Sequence, residues 1–153
     1  MKGIILAGGF GTRLYPMTTN VSKQLLPIYD KPMIYYSIST LMELKIREIL
    51  IISSKNFIPI YKDIFKNFNN FGLKILFKEQ KYPNGIAESF IIGKKFIGRD
   101  NVTLILGDNF FYGINYDKID FTKLNKNFGA KIFAYKVNEP KNYGVISIKN
   151  KEY

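Results

Sequence analysis

A five-residue apolar run that ends directly in a glycine-rich loop constrains this chain most. Residues 3–7 (GIILA) lead into residues 8–13 (GGFGTR). The run is too short for a helix and lacks the alternation of a half-exposed strand, so it reads as a strand buried on both faces. Glycines after such a strand let the backbone turn sharply and come close to a neighbour or a ligand. A doubly buried strand with a loop at its carboxyl end is the opening unit of an α/β sheet.

The rest of the chain continues that pattern. Residues 33–44 follow Pro32 and read as a helix, with Ile38, Leu41 and Leu44 on one face. Residues 48–53 and 73–78 read as strands, and residues 58–68 between them as a helix with Ile60, Ile64 and Phe68 spaced by four. Residues 86–97 have helical spacing, residues 102–106 are a fourth apolar run, and residues 117–127 suggest a short helix. Residues 130–137 and 144–149 have strand composition, and the last strand is expected to join antiparallel. Strands alternating with helices predict a Rossmann-like, mostly parallel α/β sheet with helices on both faces and right-handed crossovers. The 153 residues suffice for one domain. The chain stops directly after a predicted strand, at Tyr153, so the domain is expected to be partial.

Composition excludes several chemistries. There is no cysteine and no histidine, which removes disulfides, thiolate sites, imidazole ligands and histidine-based triads. Any metal must be held by oxygen, which points to a hard cation such as Mg2+. The net charge is +11, but the excess is +6 over residues 1–76 and +5 over residues 77–153. A nucleic-acid arm would concentrate that charge; spread along the chain, it suits a solvated lysine-rich surface or a small anionic substrate. No run is long enough for a signal peptide or a membrane span. The expectation is a cytoplasmic protein with neither nucleic acid nor membrane as partner.

Three segments carry candidate chemistry. In an open α/β sheet, ligands bind beyond the carboxyl ends of the strands. There, the backbone N–H groups around Gly8, Gly9 and Gly11 can turn toward phosphate oxygens. Arg13 can hold two oxygens at once, and Lys23 adds a mobile charge. The loop lacks the Gly-Lys pair of a Walker motif, and Arg13 stands where a dinucleotide fingerprint would place its last glycine. A tight turn packed against the strand explains the glycines equally well. Gln80, after the third strand, offers both an amide donor and a carbonyl acceptor, and Pro83-Asn84-Gly85 is a turn signal. The segment reads either as a connector or as a wall that meets a base edge. Asp108, after Gly107 at the end of the fourth strand, is either a turn-capping carboxylate or an oxygen ligand for magnesium. Gly107 is expected to leave room for a ligand beside it.

The run Lys2 to Pro16 (KGIILAGGFGTRLYP) strongly resembles the signature of the nucleoside-diphosphate-sugar pyrophosphorylases. The run Ser22 to Tyr36 (SKQLLPIYDKPMIYY) resembles their glucose-1-phosphate thymidylyltransferase subgroup. The likeness extends in order across essentially the whole chain. It implies a nucleotidyltransferase acting on deoxythymidine triphosphate (dTTP) and glucose 1-phosphate with Mg2+, feeding deoxy-sugars into surface polysaccharides.

By resemblance, Gly8 and Gly9 line the base and sugar of the nucleotide, Gly11, Thr12 and Arg13 hold the triphosphate, and Lys23 meets phosphate at the reacting centre with Gln24 close by. Gln80 and Gly85 take the base, Asp108 the metal, and Tyr143 and Gly144 the glucose. Asn84 and Ile86 stand where the subgroup often has aspartate and leucine. The family continues beyond this length with a sugar-binding portion, a second metal-binding aspartate and oligomer contacts. A homo-oligomer is thus implied for the full-length parent. Two other readings remain: a related enzyme using uridine triphosphate or another sugar phosphate, and a nucleotide-binding module without turnover.

Overall fold

The computed structural model describes residues 1–9, 11–114, 116 and 129–147. The chain divides into two compact units, Met1–Tyr116 and Asp117–Tyr153.

The first unit is built on six strands, β1 (Lys2–Leu6), β2 (Pro27–Ile28), β3 (Lys31–Pro32), β4 (Glu48–Ser53), β5 (Lys74–Glu79) and β6 (Val102–Leu106). Its helices are α1 (Met33–Glu43), α2 (Ile58–Ile64) and α3 (Glu88–Ile97). Four strands form one sheet in the order β5-β4-β1-β6, and every pairing in it is parallel. The short strands β2 and β3 pair antiparallel through a turn in which Tyr29 takes a φ of 59°.

Period-two alternation sends each strand's side chains to both faces. Ile5, Ala7, Ile49 and Ile51 pack on one side with Ile34, Ile38 and Leu41 of α1 and Tyr61 of α2. Ile4, Leu6, Leu50 and Ile52 pack on the other with Ile92, Phe96 and Ile97 of α3. Burying each of these strand isoleucines contributes about 1.5–3 kcal/mol. The two-sided arrangement follows from chain direction. The sheet grows one way from β1 through β4 to β5, then returns to β1's other edge as β6. A right-handed crossover on the return must lie on the opposite face. Close packing on both faces rests on two glycines: a Cβ on Gly3 would stand 2.7 Å from Leu41 Cδ1, and one on Gly93 would stand 2.9 Å from Ile4 Cδ1.

Helix α1 buries Ile34, Ser37, Ile38 and Leu41, the stripe expected of an amphipathic helix. It closes with Lys45 at φ 60° and a bond from Ile46 N–H to the Leu41 carbonyl (2.9 Å), the geometry of a left-handed helix cap. The helix expected over 58–68 is shorter. It stops at Ile64, and Phe68–Phe71 form a 3-10 turn ended by Gly72 at φ 70°. Phe65 and Phe68 meet edge to face at 4.8 Å, and both pack on Tyr35; that packing holds the chain in its tighter turn.

The second unit differs from expectation. Residues 130–137 and 144–147 are not in strands. Strand composition becomes a strand only with a regular ladder, and no strand is assigned to these segments among the described residues. Ile132, Phe133 and Tyr135 are more than half exposed. The expected helix over 117–127 and the end of the last expected strand lie outside the described residues.

Candidate functional site

All four strands of the parallel sheet deliver their carboxyl ends to the same edge. The strand order reverses between β1 and β6, where a crevice opens in sheets of this topology. A cleft of about 220 Å³ lies there, lined by Leu6, Gly8, Gly9, Gln24, Gln80, Pro83, Gly85, Ile86, Leu106 and Asp108. Six of the residues singled out from the sequence thus share one cavity: Gly8, Gly9, Gln24, Gln80, Gly85 and Asp108.

Lys23 joins them through Asp108, with its Nζ 2.8 Å from the Asp108 Oδ2. Lys23 and Gln24 sit on one 3-10 turn, Lys23–Leu25, and diverge. Lys23 reaches the cleft mouth, whereas Gln24 turns inward, 5% exposed. Ser22 Oγ donates to Gln24 Oε1 at 2.6 Å and lies 2.8 Å from the Tyr61 hydroxyl. Burial, partly offset by hydrogen bonding to Ser22 and Ser53, pushes the Tyr61 hydroxyl up to about 12. Ser53 Oγ in turn donates to the Ala7 carbonyl at 2.9 Å. A buried polar chain therefore braces the floor of the cleft from β1 to Gln24.

Gly107 differs from expectation. A Cβ there would stand 2.9 Å from Gln24 Cγ and 3.3 Å from the Ala7 Cβ. The space it leaves is filled by Gln24 rather than open to a ligand.

The glycine loop presents free donors. Among the described residues, the backbone N–H groups of Gly8, Gly9 and Gly11 meet no acceptor, and neither does that of Gly85. The loop shape requires glycine at position 11: φ is 57°, and a Cβ would come within 2.9 Å of Thr18 Cγ2. Thr18 Oγ1 closes the turn on the Gly11 carbonyl at 2.8 Å. Gly11, Thr12 and Arg13 do not line the 220 Å³ cleft. Thr12 and Arg13 stand exposed on the 3-10 turn Thr12–Leu14, and Arg13 has no ion-pair partner among the described residues.

Gln80 is 6% exposed. Its backbone N–H extends the ladder to the Ser53 carbonyl at 2.8 Å. Its side chain lies over Gly8, where a Cβ would stand 2.7 Å from Gln80 Oε1. Its Nε2 donates to Glu88 Oε2 at 2.7 Å, and Asn84 Nδ2 donates to Glu88 Oε1 at 3.2 Å. Those hydrogen bonds, from Gln80 first and then Asn84, hold the Glu88 carboxyl below its ordinary value. Glu88 was not singled out from the sequence; a carboxylate eight residues after a glutamine carries no signal until the turn brings the two together.

Tyr143 and Gly144 belong to the second unit. Tyr143 is 59% exposed and lines a shallow depression with Tyr135, Lys136, Val137, Asn138 and Glu139. Among the described residues, no three Asp, Glu, His or Cys side chains gather as a metal site, and no helix is long and apolar enough to cross a membrane.

The family model described as "Nucleotidyl transferase" matches residues 2–152. The chain belongs to the nucleotidyl transferase family. Within that family it is 51% identical over 146 residues to a glucose-1-phosphate thymidylyltransferase of Neisseria meningitidis, covering 95% of this chain and 51% of that protein. It is 47% identical to a protein of the same name from Mycobacterium tuberculosis, covering 95% of this chain and 50% of that one. A crystal structure named as a glucose-1-phosphate thymidylyltransferase of Bacillus anthracis superposes with a TM-score of 0.69 at 40% identity, over 72% of this chain and 45% of that one. The chain spans about half the length of the curated relatives it matches. Its parallel sheet with helices on both faces is the nucleotidyl transferase architecture expected from the sequence.

Proposed function

We propose that this chain is the nucleotide-binding portion of a nucleotidyltransferase that joins dTTP and glucose 1-phosphate to give dTDP-glucose and pyrophosphate. The observation that carries the reading is the cleft itself. Its walls combine the glycine backbone of Gly8 and Gly9, two buried glutamines and Asp108, which is paired with Lys23. A base would lie in the cleft against the Gly8 and Gly85 backbone with its edge toward the Gln80 amide. The triphosphate then runs along the backbone of Gly11, Thr12 and Arg13, with the Arg13 and Lys23 side chains neutralising its charge. In the reaction, an anionic phosphate oxygen of glucose 1-phosphate attacks the α-phosphorus of the nucleotide. The bond between the α-phosphorus and its bridging oxygen breaks, and pyrophosphate leaves with the electron pair. The attacking oxygen is already ionised at neutral pH, so no histidine or other strong base is required. Alignment and charge neutralisation supply the catalysis.

Asp108 would hold Mg2+, which when bound neutralises phosphate charge. One of its oxygens carries Lys23, and Oδ1 has no partner among the described residues. A single carboxylate oxygen is too little for a dedicated cage, but it suits a magnesium site completed by phosphate oxygens and water. Tyr143 and Gly144 would border the sugar. The edge Gln80 meets is common to thymine and uracil, and the chain also superposes on a UDP-glucose pyrophosphorylase with a TM-score of 0.59 at 27% identity. Uridine triphosphate is therefore the competing substrate.

Titration calorimetry with dTTP, UTP and Mg2+, run beside a pyrophosphate-release assay with glucose 1-phosphate, tests the proposal. Binding with thymidine preference supports it. Equal or tighter binding of UTP transfers the reading to a uridylyl enzyme. Absence of any nucleotide binding overturns it.

A further inference from the structure

Two glutamines line the cleft, and each has one end of its amide already committed. Glu88 takes the nitrogen end of Gln80: an ionised carboxylate only accepts, so it selects the NH2 group. The carbonyl end is left over Gly8 on the cleft wall. Ser22 takes the opposite end of Gln24, donating its hydroxyl to Oε1, and the nitrogen end remains. Neither Glu88 nor Ser22 lines the cleft itself, yet between them they give it one fixed acceptor and one fixed donor. Gln80 is 6% exposed and Gln24 5% exposed, so water offers little alternative to these partners.

We propose that Glu88 is a positioning residue that sets base selectivity. By holding the carbonyl end of Gln80 toward the cleft, it makes the site demand a ring N–H donor. The imides of thymine and uracil present such a donor, whereas cytosine presents a lone pair on the corresponding nitrogen. That lone pair facing Gln80 Oε1 would leave two acceptors opposed and unpaired, the arrangement by which polar sites reject a near-isosteric ligand. The inference rests on the reading of the cleft as a nucleotide site and deepens it. Asn84 holds the second carboxylate oxygen of Glu88, so the latch has a brace of its own. Both bonds favour the ionised carboxylate and keep the latch closed through the neutral range. It opens only in acid, as pH falls through the lowered pKa of Glu88.

The test compares dTTP and dCTP binding by calorimetry for the wild-type chain, Glu88→Gln and Asn84→Ala. It also follows the 15N side-chain amide signal of Gln80 against pH. A glutamine at position 88 both donates and accepts, so it no longer sorts the Gln80 amide. The expected result is a fall of about tenfold in the dTTP-to-dCTP affinity ratio for Glu88→Gln, and a smaller fall in Asn84→Ala, which removes only the brace. The Gln80 signal should track Glu88 ionisation in the wild type and lose that pH dependence in Glu88→Gln. A folded Glu88→Gln variant with an unchanged ratio overturns the inference and leaves the nucleotide site standing. A wild-type chain that binds neither nucleotide overturns both. Should Glu88→Gln fail to fold, the wild-type titration decides: a Gln80 amide blind to Glu88 ionisation overturns the inference, and one that follows it supports it.

Discussion

Lys23 and Asp108 stand 85 residues apart in the chain and 2.8 Å apart in space, joined at the edge where β1 and β6 run side by side. Their side chains are 34% and 30% exposed. An ion pair so open to water contributes little to folding, typically no more than about 1 kcal/mol. Its worth must lie elsewhere if the cleft binds phosphate. Lys23→Met is therefore expected to shift the urea midpoint slightly while weakening triphosphate binding at least about tenfold, an effect of the size of a lost charge-assisted hydrogen bond. Denaturation and calorimetry on the same preparation check this. A large stability loss with unchanged binding would make the pair structural.

Asp108→Asn keeps the shape and removes the charge. If Asp108 holds Mg2+, nucleotide affinity in the wild type should rise with added Mg2+, and in the variant it should not. Calorimetric titration at several Mg2+ concentrations reads this directly. A variant that keeps the full magnesium dependence places the metal on other groups.

Gly107→Ala separates floor from ligand. The added methyl would press on Gln24 Cγ at 2.9 Å and the Ala7 Cβ at 3.3 Å. Gln24 must shift, or the strand end must. The expected cost is about 1–3 kcal/mol of stability, accompanied by weaker nucleotide binding. A thermal melt and a binding isotherm indistinguishable from wild type would show that the floor tolerates the change.

Gly11→Ala tests the glycine loop. Alanine at φ 57° costs roughly 1–2 kcal/mol for the left-handed backbone, and its Cβ would also crowd Thr18 Cγ2. Loss of stability in this range, read by urea denaturation, is expected together with loss of triphosphate binding.

Tyr61 gives an alkaline signature. Its hydroxyl titrates near 12 in the fold against 10 for the ordinary group. The folded state thus keeps a proton that the unfolded chain gives up from pH 10 upward. Stability from this group is complete below pH 10 and declines as pH rises toward 12, by up to roughly 2–3 kcal/mol. Tyr61→Phe should be less stable near neutrality and lose less between pH 10 and 12. Parallel alkaline melts check the difference in slope.

Much of the fold is legible in the sequence because its strands are short apolar runs bounded by turn residues. Residues 48–53 and 102–106 coincide with β4 and β6 as observed. The carboxyl ends of such strands share one edge, so Gly8, Gln80 and Asp108 could be expected near each other. What stayed hidden depends on side chains meeting across the chain. Ser22 reaches Tyr61 over 39 residues, and no local pattern announces it. Gly107 looks like room for a ligand until Gln24 fills it. The hairpin of β2 and β3 escapes detection because two-residue strands have no periodicity. Ile132 and Tyr135 carry strand composition but lie outside any strand of the described residues, so composition misleads there. Arg13 shows another limit: the loop that bears it can be read, but the direction of an exposed side chain cannot.

The pairing of β1 with β6 has a consequence for how the molecule comes together. Among the described residues, the first strand in the chain is central in the sheet, and one of its neighbours is the last of these strands in sequence. Lys23 cannot find Asp108 until that late strand docks, and closing so long a loop is slow compared with local helix formation. If the cleft is the nucleotide site, binding depends on a contact between two distant stretches of chain, and its recovery during refolding should lag the return of helical signal.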